Sequence, residues 1–168
     1  MDTLAKIYAI YTAGLRRTVL LMAGATGLGI ILMALITCAD VILRLIGQPF
    51  VGSFDLVRVA GAVSMSFAMP YTTAVKGHVA IEYFFQKLGR KGRIVLDTVS
   101  RTISISFFSI LTYEAIKYGN KLQATGEVTP TLQLPMFWIP WTIAFSCGVM
   151  VLVILHNLLH PGKGLVKP

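Results

Sequence analysis

The sequence has little charge and few cysteines. Asp, Glu, Lys and Arg make up 13% of its 168 residues, against roughly 25% in ordinary soluble domains. A soluble enzyme of this size would need more charge to cover its surface, so the composition nearly excludes that class. Only two cysteines are present, Cys38 and Cys147, and both lie in apolar runs, so no disulfide framework is indicated. The P-loop, nucleophile-elbow, His-Glu-x-x-His and Gly-x-Gly-x-x-Gly motifs are absent, so neither ATP hydrolysis nor nucleophilic catalysis is indicated.

Apolar residues are abundant instead. Hydrophobic types make up 55% of the chain, the mean hydropathy is +0.74, and the aromatic residues are 9 Phe, 6 Tyr and 2 Trp. Such a chain is not disordered, and its length suits one domain. We therefore predict an all-α integral membrane protein that forms a single membrane domain over residues 1–168.

The gaps between charged residues locate the predicted spans. Stretches free of Asp, Glu, Lys and Arg cover residues 18–39, 59–75, 102–113 and 128–162. A transmembrane helix needs about 20 mostly apolar residues. Extending each stretch through its apolar neighbours predicts four transmembrane helices, at 18–43, 55–75, 94–118 and 135–157. Ser53 is the expected N-cap of the second helix, with Asp55 in its first turn.

Basic residues set the expected orientation. Eleven Lys and Arg residues lie before the first predicted span, between the second and third, or after the fourth, and four lie on the other side. The positive-inside rule then places both termini in the cytoplasm. The first apolar run is too long for a signal-peptide h-region and lacks a cleavage site, so we expect this span to be retained.

Two segments have the pattern of helices that lie in the membrane interface. Residues 4–17 place Leu4, Ile7, Tyr8, Tyr11 and Leu15 on one stripe, and residues 78–90 do the same with Ile81, Phe84, Phe85 and Leu88. Both fit interfacial amphipathic helices whose basic residues contact phospholipid headgroups. The alternative is a pair of short solvated connectors.

Charged pairs near the outer ends of the predicted helices are the first candidate functional residues. Asp40 and Arg44 are four residues apart, and Asp55 and Arg58 are three apart. Each pair is interpreted either as a gate or coupling pair, or as a local ion pair that holds a helix end. We favour the local ion pair in both cases.

Histidines and tryptophans are the second group. His156 and His160 have a spacing that suits a metal or haem, but no third ligand is nearby, so an interfacial helix end is favoured. His78 is expected to cap a helix or contact headgroups, and no cofactor or metal is expected. Trp138 and Trp141 suit an outer interfacial belt. The basic residues follow the membrane interfaces, so nucleic acid is not an expected partner.

Small residues recur at four-residue spacing in the first two predicted spans. The pairs are Ala23/Gly27, Ala25/Gly29, Ala62/Ser66 and Ser64/Ala68. Such pairs allow two helices to approach closely. With little chemistry of its own, the chain is expected to be an accessory subunit of a membrane complex.

Three stretches resemble the small permease subunit of tripartite ATP-independent periplasmic (TRAP) transporters, the DctQ-like family. Residues 39–44 with 47–49 and 52–56 resemble the end of that family's first helix and the start of its second. The segment Lys76–Glu82 resembles the Gly-His-hydrophobic-x-hydrophobic-acidic pattern that follows, and residues 131–140 resemble the approach to the last helix. The similarity covers most of the chain, although Asp55 stands where the family more often has Glu.

The resemblance implies a subunit of an importer in the bacterial inner membrane. It implies a large DctM-like membrane subunit that carries the substrate and sodium sites, and a DctP-like periplasmic protein that delivers an organic acid. The present chain would anchor and scaffold the large subunit. Candidate contacts with subunits, lipids or the binding protein are then Asp40, Arg44, Asp55, Arg58, His78, Glu82, Trp138 and Trp141.

Two other functions are considered beside this one. A redox membrane anchor would use His78, His156 or His160 to ligate haem, and an absorbance spectrum with a Soret band would identify it. An autonomous oligomeric transporter would carry a small molecule without a larger subunit, and transport by this chain alone in liposomes would identify it.

Overall fold

Four α-helices make up most of the described chain. The computed structural model describes residues 2–75 and 90–159, which form α1 (Asp2–Leu45), α2 (Ser53–Ala74), α3 (Arg90–Thr125) and α4 (Trp138–Leu159). An isolated antiparallel bridge joins Val128 and Pro135 in the loop between α3 and α4. The predicted all-α architecture is confirmed for these residues.

Helix α1 is longer than expected. Its 44 residues correspond to about 66 Å at 1.5 Å per residue, and it joins the predicted segments 4–17 and 18–43 without a break. The reason is that the first proline of the chain is Pro49, so no residue before it forces the helix to end. The placement of 4–17 in the interface plane stays a prediction.

The other helices differ from the predicted spans mainly at their ends. The predicted spans 55–75 and 94–118 correspond to α2 and to the middle of α3. Helix α4 begins at Trp138, later than the predicted 135–157, because Pro135 takes part in the bridge with Val128. The predicted interfacial helix 78–90 lies outside the described residues except for Arg90.

Glycines close α1 and α3. Gly47 has φ 80°, its N–H donates to the Arg44 carbonyl at 3.1 Å, and the Gln48 N–H donates to the Leu43 carbonyl at 3.0 Å. This is the Schellman arrangement, which satisfies carbonyls that would otherwise lack a donor at the helix end. Gly126, with φ 67°, ends α3 by a bond from its N–H to the Leu122 carbonyl at 3.0 Å.

Helix α2 starts differently from the prediction. Its N-cap is Gly52, with φ 102° and no side-chain cap hydrogen bond, so the expected capping role of Ser53 is wrong. Ser53 is instead the first helical residue and is buried. Glycine fits this cap because the left-handed backbone conformation found there is unfavourable for a residue with a Cβ atom.

The helices form an open layer in the order α1, α2, α4, α3. Helix α2 packs between α1 and α4, α3 packs on α4, and α1 also touches α4. Among residues 2–75 and 90–159, helices α1 and α3 are thus the edges of the layer. The main apolar core lies where α1, α2 and α4 meet, and its buried members are Leu15, Val19, Met22, Ala74, Val149 and Val153.

A proline in α2 is matched by a serine in α4. Pro70 has no N–H, so the carbonyl of Ser66, four residues earlier, loses its donor within the helix. The Ser146 hydroxyl from α4 donates to this carbonyl, and all three residues are buried. The interhelical bond therefore satisfies a backbone group that water does not reach.

Close contact between α1 and α2 depends on a small residue. A Cβ atom added at Gly29 would overlap the Ser64 hydroxyl. Beside it, the Thr26 hydroxyl lies 3.2 Å from the Ser64 carbonyl. Gly29 of the predicted Ala25/Gly29 pair thus lies in a close helix contact. Gly27 of the Ala23/Gly27 pair does not, because a Cβ atom there would meet no atom within 4 Å.

At the opposite end of the layer, side chains satisfy terminal carbonyls of α2 and α4. The Asn157 amide donates to the Thr73 carbonyl at 3.5 Å, and the Arg101 guanidinium donates to the Asn157 carbonyl. Both acceptors lie in the last turns of their helices, where carbonyls have no partner within the helix. These bonds connect α2, α4 and α3.

Two described helices are long and apolar enough to cross a membrane by length and composition. They are Ile10–Leu45 within α1 and Trp138–Leu158 within α4. Only 11% of the most apolar window in α1 is buried inside the structure, so most of its apolar side chains face outward. For α2 and α3, crossing of the membrane stays a prediction.

Candidate functional site

The two loops at one end of the layer pack against each other. The first connects α1 to α2 and spans residues 46–52, and the second connects α3 to α4 and spans residues 126–137. We call this region the loop end. Six of the eight candidate residues lie in it or on the adjoining helix turns: Asp40, Arg44, Asp55, Arg58, Trp138 and Trp141.

Asp55 is the central residue of the loop end. It lies in the first turn of α2 and its side chain has no contact with solvent. Its Oδ2 atom accepts the backbone N–H groups of Thr131 and Leu132, each at 2.9 Å. These partners lie 76 and 77 positions later in the sequence, so one carboxylate attaches the second loop to the start of α2.

The second Asp55 oxygen is buried and has no hydrogen-bond partner among the described residues. The Arg58 side chain is close enough to favour the negative charge of the carboxylate, and Arg58 itself is exposed. The two side chains do not form an ion pair within 4.0 Å. The favoured interpretation of Asp55 and Arg58 as a local ion pair is therefore wrong, because the carboxylate is turned toward the backbone of the second loop.

The second loop has its own hydrogen bonds. The Thr129 N–H donates to the Leu134 carbonyl at 2.9 Å, and the Leu134 N–H donates to the Thr129 hydroxyl at 3.1 Å. Gln133, which has φ 52°, donates its N–H to the Thr129 carbonyl at 3.2 Å. Thr129 is 1% exposed, so it is the buried centre of a compact turn that presents two N–H groups to Asp55.

Gly52 allows the two loops to touch. A Cβ atom there would lie 2.6 Å from Leu132 Cδ2, closer than real side chains approach. Its φ of 102° is also a conformation that other residues rarely adopt. The positive φ therefore favours glycine at this position, the Leu132 side chain would have to shift to admit a Cβ atom, and Leu132 covers the start of α2.

Asp40 holds the first loop in a more open setting. Its Oδ2 atom lies 2.9 Å from Arg44 Nε, and its Oδ1 atom accepts the Phe50 N–H at 3.2 Å. The Arg44 side chain is 63% exposed, whereas the Asp40 side chain is 13% exposed, so the arginine is the open side of this pair. The favoured interpretation of Asp40 and Arg44 as a local ion pair agrees with this geometry, and the carboxylate also contacts the loop.

The tryptophans lie at the start of α4. Trp141 is 37% exposed, and its indole lies against Gly119 of α3, where a Cβ atom would overlap the ring. It also makes an edge contact with Phe137, with ring centroids 5.2 Å apart. Trp138 is half-buried. Trp141 thus packs α4 on α3, and the predicted interfacial belt is untested.

His156, the histidine candidate that the structure describes, lies at the opposite end. His156 is 6% exposed and stacks on Tyr8 of α1, with ring centroids 6.1 Å apart. His78, Glu82 and His160 lie outside the described residues. Within residues 2–75 and 90–159, no three His, Cys, Asp or Glu side chains come together in a way that would hold a metal ion.

Sequence patterns did not identify the loop partners of Asp55. Thr131 and Leu132 contribute only backbone N–H groups, and no sequence pattern marks a backbone donor. Two sequence signals could have pointed to this contact. One is Gly52, immediately before Ser53, and the other is the start of a turn at Thr129-Pro130.

Comparison with known families agrees with the resemblance drawn from the sequence. The family model described as the DctQ component of tripartite ATP-independent periplasmic transporters matches residues 33–163, which is well over half of the chain. No curated protein sequence matches significantly. The matched region contains α2, α3 and α4, both loops of the loop end and the aspartates that hold them. The chain therefore belongs to the DctQ family of TRAP transporter components.

Proposed function

We propose that this chain is the small membrane subunit that anchors and scaffolds the large permease subunit of a TRAP transporter. The transporter would take up an organic acid across the bacterial inner membrane, driven by sodium and supplied by a periplasmic binding protein. Membership of the DctQ family is the observation that carries this proposal. The family is one of transporter components, so a catalytic function is not proposed.

The architecture supports a scaffolding role. An open layer of four helices leaves wide apolar surfaces uncovered, with exposed residues such as Leu21 at 67% and Leu35 at 61% on α1 and Ile110 at 65% on α3. Such surfaces are costly in water and suit lipid or another membrane protein. We propose that all four helices cross the membrane, with both termini in the cytoplasm.

The distribution of charge supports the same role. Residues 18–39 of α1, 59–74 of α2 and all of α4 contain no Asp, Glu, Lys or Arg. Ionisable groups within a membrane commonly form ion paths or substrate sites. We infer that the substrate and sodium sites belong to the large subunit.

The loop end is the proposed contact region for the binding protein. Asp55 is buried, so its role there would be to hold the second loop in place. The exposed residues Arg44, Arg58, Thr131 and Gln133 would make the contacts. In this view the carboxylate shapes the surface without touching the partner.

Copurification and transport assays test the proposal. The chain with an affinity tag should retain its large subunit through purification, and uptake into proteoliposomes should require both subunits and the binding protein. This chain alone should transport nothing. Transport by the chain alone, or a Soret band in its absorbance spectrum, would contradict the proposal and support one of the other two functions.

A reporter scan tests the orientation. Reporter fusions after Lys91 and at the C-terminus should be cytoplasmic, and a fusion within residues 126–134 should be periplasmic. A periplasmic reporter after Lys91 would overturn the proposed topology.

A further inference from the structure

Four large apolar side chains protrude from the first loop and from the helix turns on either side of it. They are Leu45, Ile46, Val51 and Phe54, and each is between 69% and 84% exposed. All four lie within residues 45–54. We call them the first-loop patch. Apolar side chains that are this exposed and this close together in the sequence indicate a contact surface.

The first-loop patch lies outside the segments that are proposed to cross the membrane. The first of these segments ends at residue 43, and the second begins at residue 55. Residues 18–43 alone correspond to about 39 Å of helix, which already exceeds the roughly 30 Å of bilayer hydrocarbon. On this placement the patch is at the outer surface of the membrane, beyond the reach of the acyl chains.

Hydrogen bonds constrain the backbone of the first loop. The Asp40 carboxylate accepts the Phe50 N–H at 3.2 Å, and the Ser53 N–H donates to the Phe50 carbonyl at 3.2 Å. The Gly47 N–H donates to the Arg44 carbonyl at 3.1 Å. A loop constrained in this way loses little conformational entropy when it binds, which favours a specific contact with another protein.

The second loop presents a different surface. Its exposed residues Thr131 and Gln133 are polar. Its large apolar residues Val128 and Leu132 are 48% and 38% exposed, less than any member of the first-loop patch. Permanent protein interfaces are more apolar than transient ones, which are about as polar as the rest of a protein surface. The second loop therefore suits a partner that docks and leaves, and the first loop suits a partner that stays.

We propose that the first-loop patch is a permanent contact with the large membrane subunit, formed outside the hydrocarbon of the bilayer. This rests on the proposed function, which supplies that subunit and places the loop end in the periplasm. The partner surface would be an apolar one on a periplasmic part of the large subunit. A binding protein that docks and leaves would return the patch to water in every transport cycle, which is unfavourable for side chains of this kind.

Protection of a single cysteine from a membrane-impermeant maleimide tests which partner covers the patch. Val51→Cys is made in the full-length chain with Cys38 and Cys147 replaced by alanine, and spheroplasts expose the periplasmic side to the reagent. The chain expressed alone should be labelled at position 51. Coexpression of the large subunit should slow this labelling about tenfold, and the binding protein should add little further protection. Gln123→Cys, at an exposed polar position in the last turn of α3, is the matched control and should be labelled equally throughout.

The other labelling patterns contradict the proposal, and each identifies a different cause. Labelling at position 51 that the large subunit leaves unchanged would show that this subunit does not cover the patch. A chain alone that is unlabelled at position 51, beside a labelled control, would show that lipid or a second copy covers it. Protection that appears only with the binding protein would make that protein the occupant. An unlabelled control would contradict the proposed topology and the patch contact with it.

Copurification of the large subunit gives a second measure. Val51→Asp places a charge in the patch and should lower the amount of retained large subunit about fivefold, whereas Gln123→Asp adds the same charge elsewhere at the loop end and should not. Phe54→Ala is a milder variant and should lower retention about twofold. The altered side chains are mostly exposed, so the melting temperature of each variant chain alone should match that of the unmodified chain.

The two assays separate this contact from the proposed function. Full retention of the large subunit by Val51→Asp and Phe54→Ala would overturn the contact and leave the proposed function intact. Failure of the unmodified chain to copurify with a large subunit would contradict the proposed function itself.

Discussion

Two aspartates at the loop end hold one loop each, and their surroundings differ. Asp55 is fully buried and attaches the α3–α4 loop to α2 across 76 residues of sequence. Asp40 contacts a neighbour four residues away and one loop N–H ten residues away, beside an Arg44 side chain that is 63% exposed. The difference shows that similar charged patterns near helix ends support very different structural roles.

Burial decides how much each carboxylate contributes. Removing Asp55 leaves two loop N–H groups without their buried acceptor, whereas in the Asp40 pair the Arg44 side chain is 63% exposed, so hydration replaces part of that interaction. Four substitutions, with expected losses of stability from about 10 °C down to about 1 °C in melting temperature, each test one part of this contrast.

Asp55→Ala should have the largest effect. It removes the acceptor of two N–H groups, and we expect the melting temperature of the purified chain in detergent to fall by roughly 10 °C. Asp55→Asn keeps an oxygen acceptor and should lose about half as much. Differential scanning fluorimetry measures both, and an alanine variant as stable as the unmodified chain would show that the carboxylate does not hold the loop.

Gly52→Ala tests the contact between the loops. The added Cβ would overlap Leu132 and strain the helix cap, so we expect a fall of about 5 °C. Gly47→Ala is the matched control, because Gly47 has φ 80° but nothing within 4 Å. Equal shifts for the two variants would mean that backbone conformation alone requires the glycine at position 52.

Ser146→Ala tests how much a buried hydrogen bond between uncharged groups contributes to stability. It removes the donor to the Ser66 carbonyl, which Pro70 leaves without a helical partner, and we expect a fall of about 3 °C. Pro70→Ala returns an N–H to that carbonyl, so Ser146→Ala should cost less in the Pro70→Ala background. A double-mutant cycle measures the difference, with exposed Ser109→Ala as control. Strictly additive effects would argue against the link.

Asp40→Asn should have the smallest effect. The amide oxygen can still accept the Phe50 N–H, and the lost ion pair is worth little, so we expect a fall of about 1 °C or less. Raising the salt concentration should shrink this difference but leave the effect of Asp55→Ala nearly unchanged. A loss at Asp40 as large as that at Asp55 would remove the contrast between the two regions.

The four described helices overlap the four charge-poor stretches, and a membrane would favour such stretches because it excludes charge and requires complete backbone hydrogen bonding; the membrane crossings themselves stay a prediction. The ends of the helices were less predictable. Segments 4–17 and 18–43 form one continuous helix, α1, because no helix breaker separates them. The sequence pattern changes from amphipathic to apolar between the two segments, and this change suggested a boundary that the structure does not have. The late start of α4 depended on the bridge between Val128 and Pro135, which lies outside the helix itself.

The candidate site was predicted in part. Asp40 and Arg44 were paired correctly because four-residue spacing on a helix brings two side chains together. Asp55 was selected, but its partners were not, since hydrogen bonds to backbone groups leave no residue-type signal. Ser146 was missed for the same reason, although Pro70 by itself indicates a carbonyl without a donor at position 66.

The sequence by itself determined the class of the protein. Low charge, long apolar runs and the ordered motifs of residues 39–56 and 131–140 depend on composition and spacing, which need no coordinates. The tertiary structure alone decided that the helices form an open layer, that Asp55 attaches a loop more than 70 residues away, and that Ser146 donates to the Ser66 carbonyl that Pro70 leaves without a helical partner. These features depend on which residues meet across long stretches of chain, and such meetings are set by packing of the whole molecule and not by any local pattern.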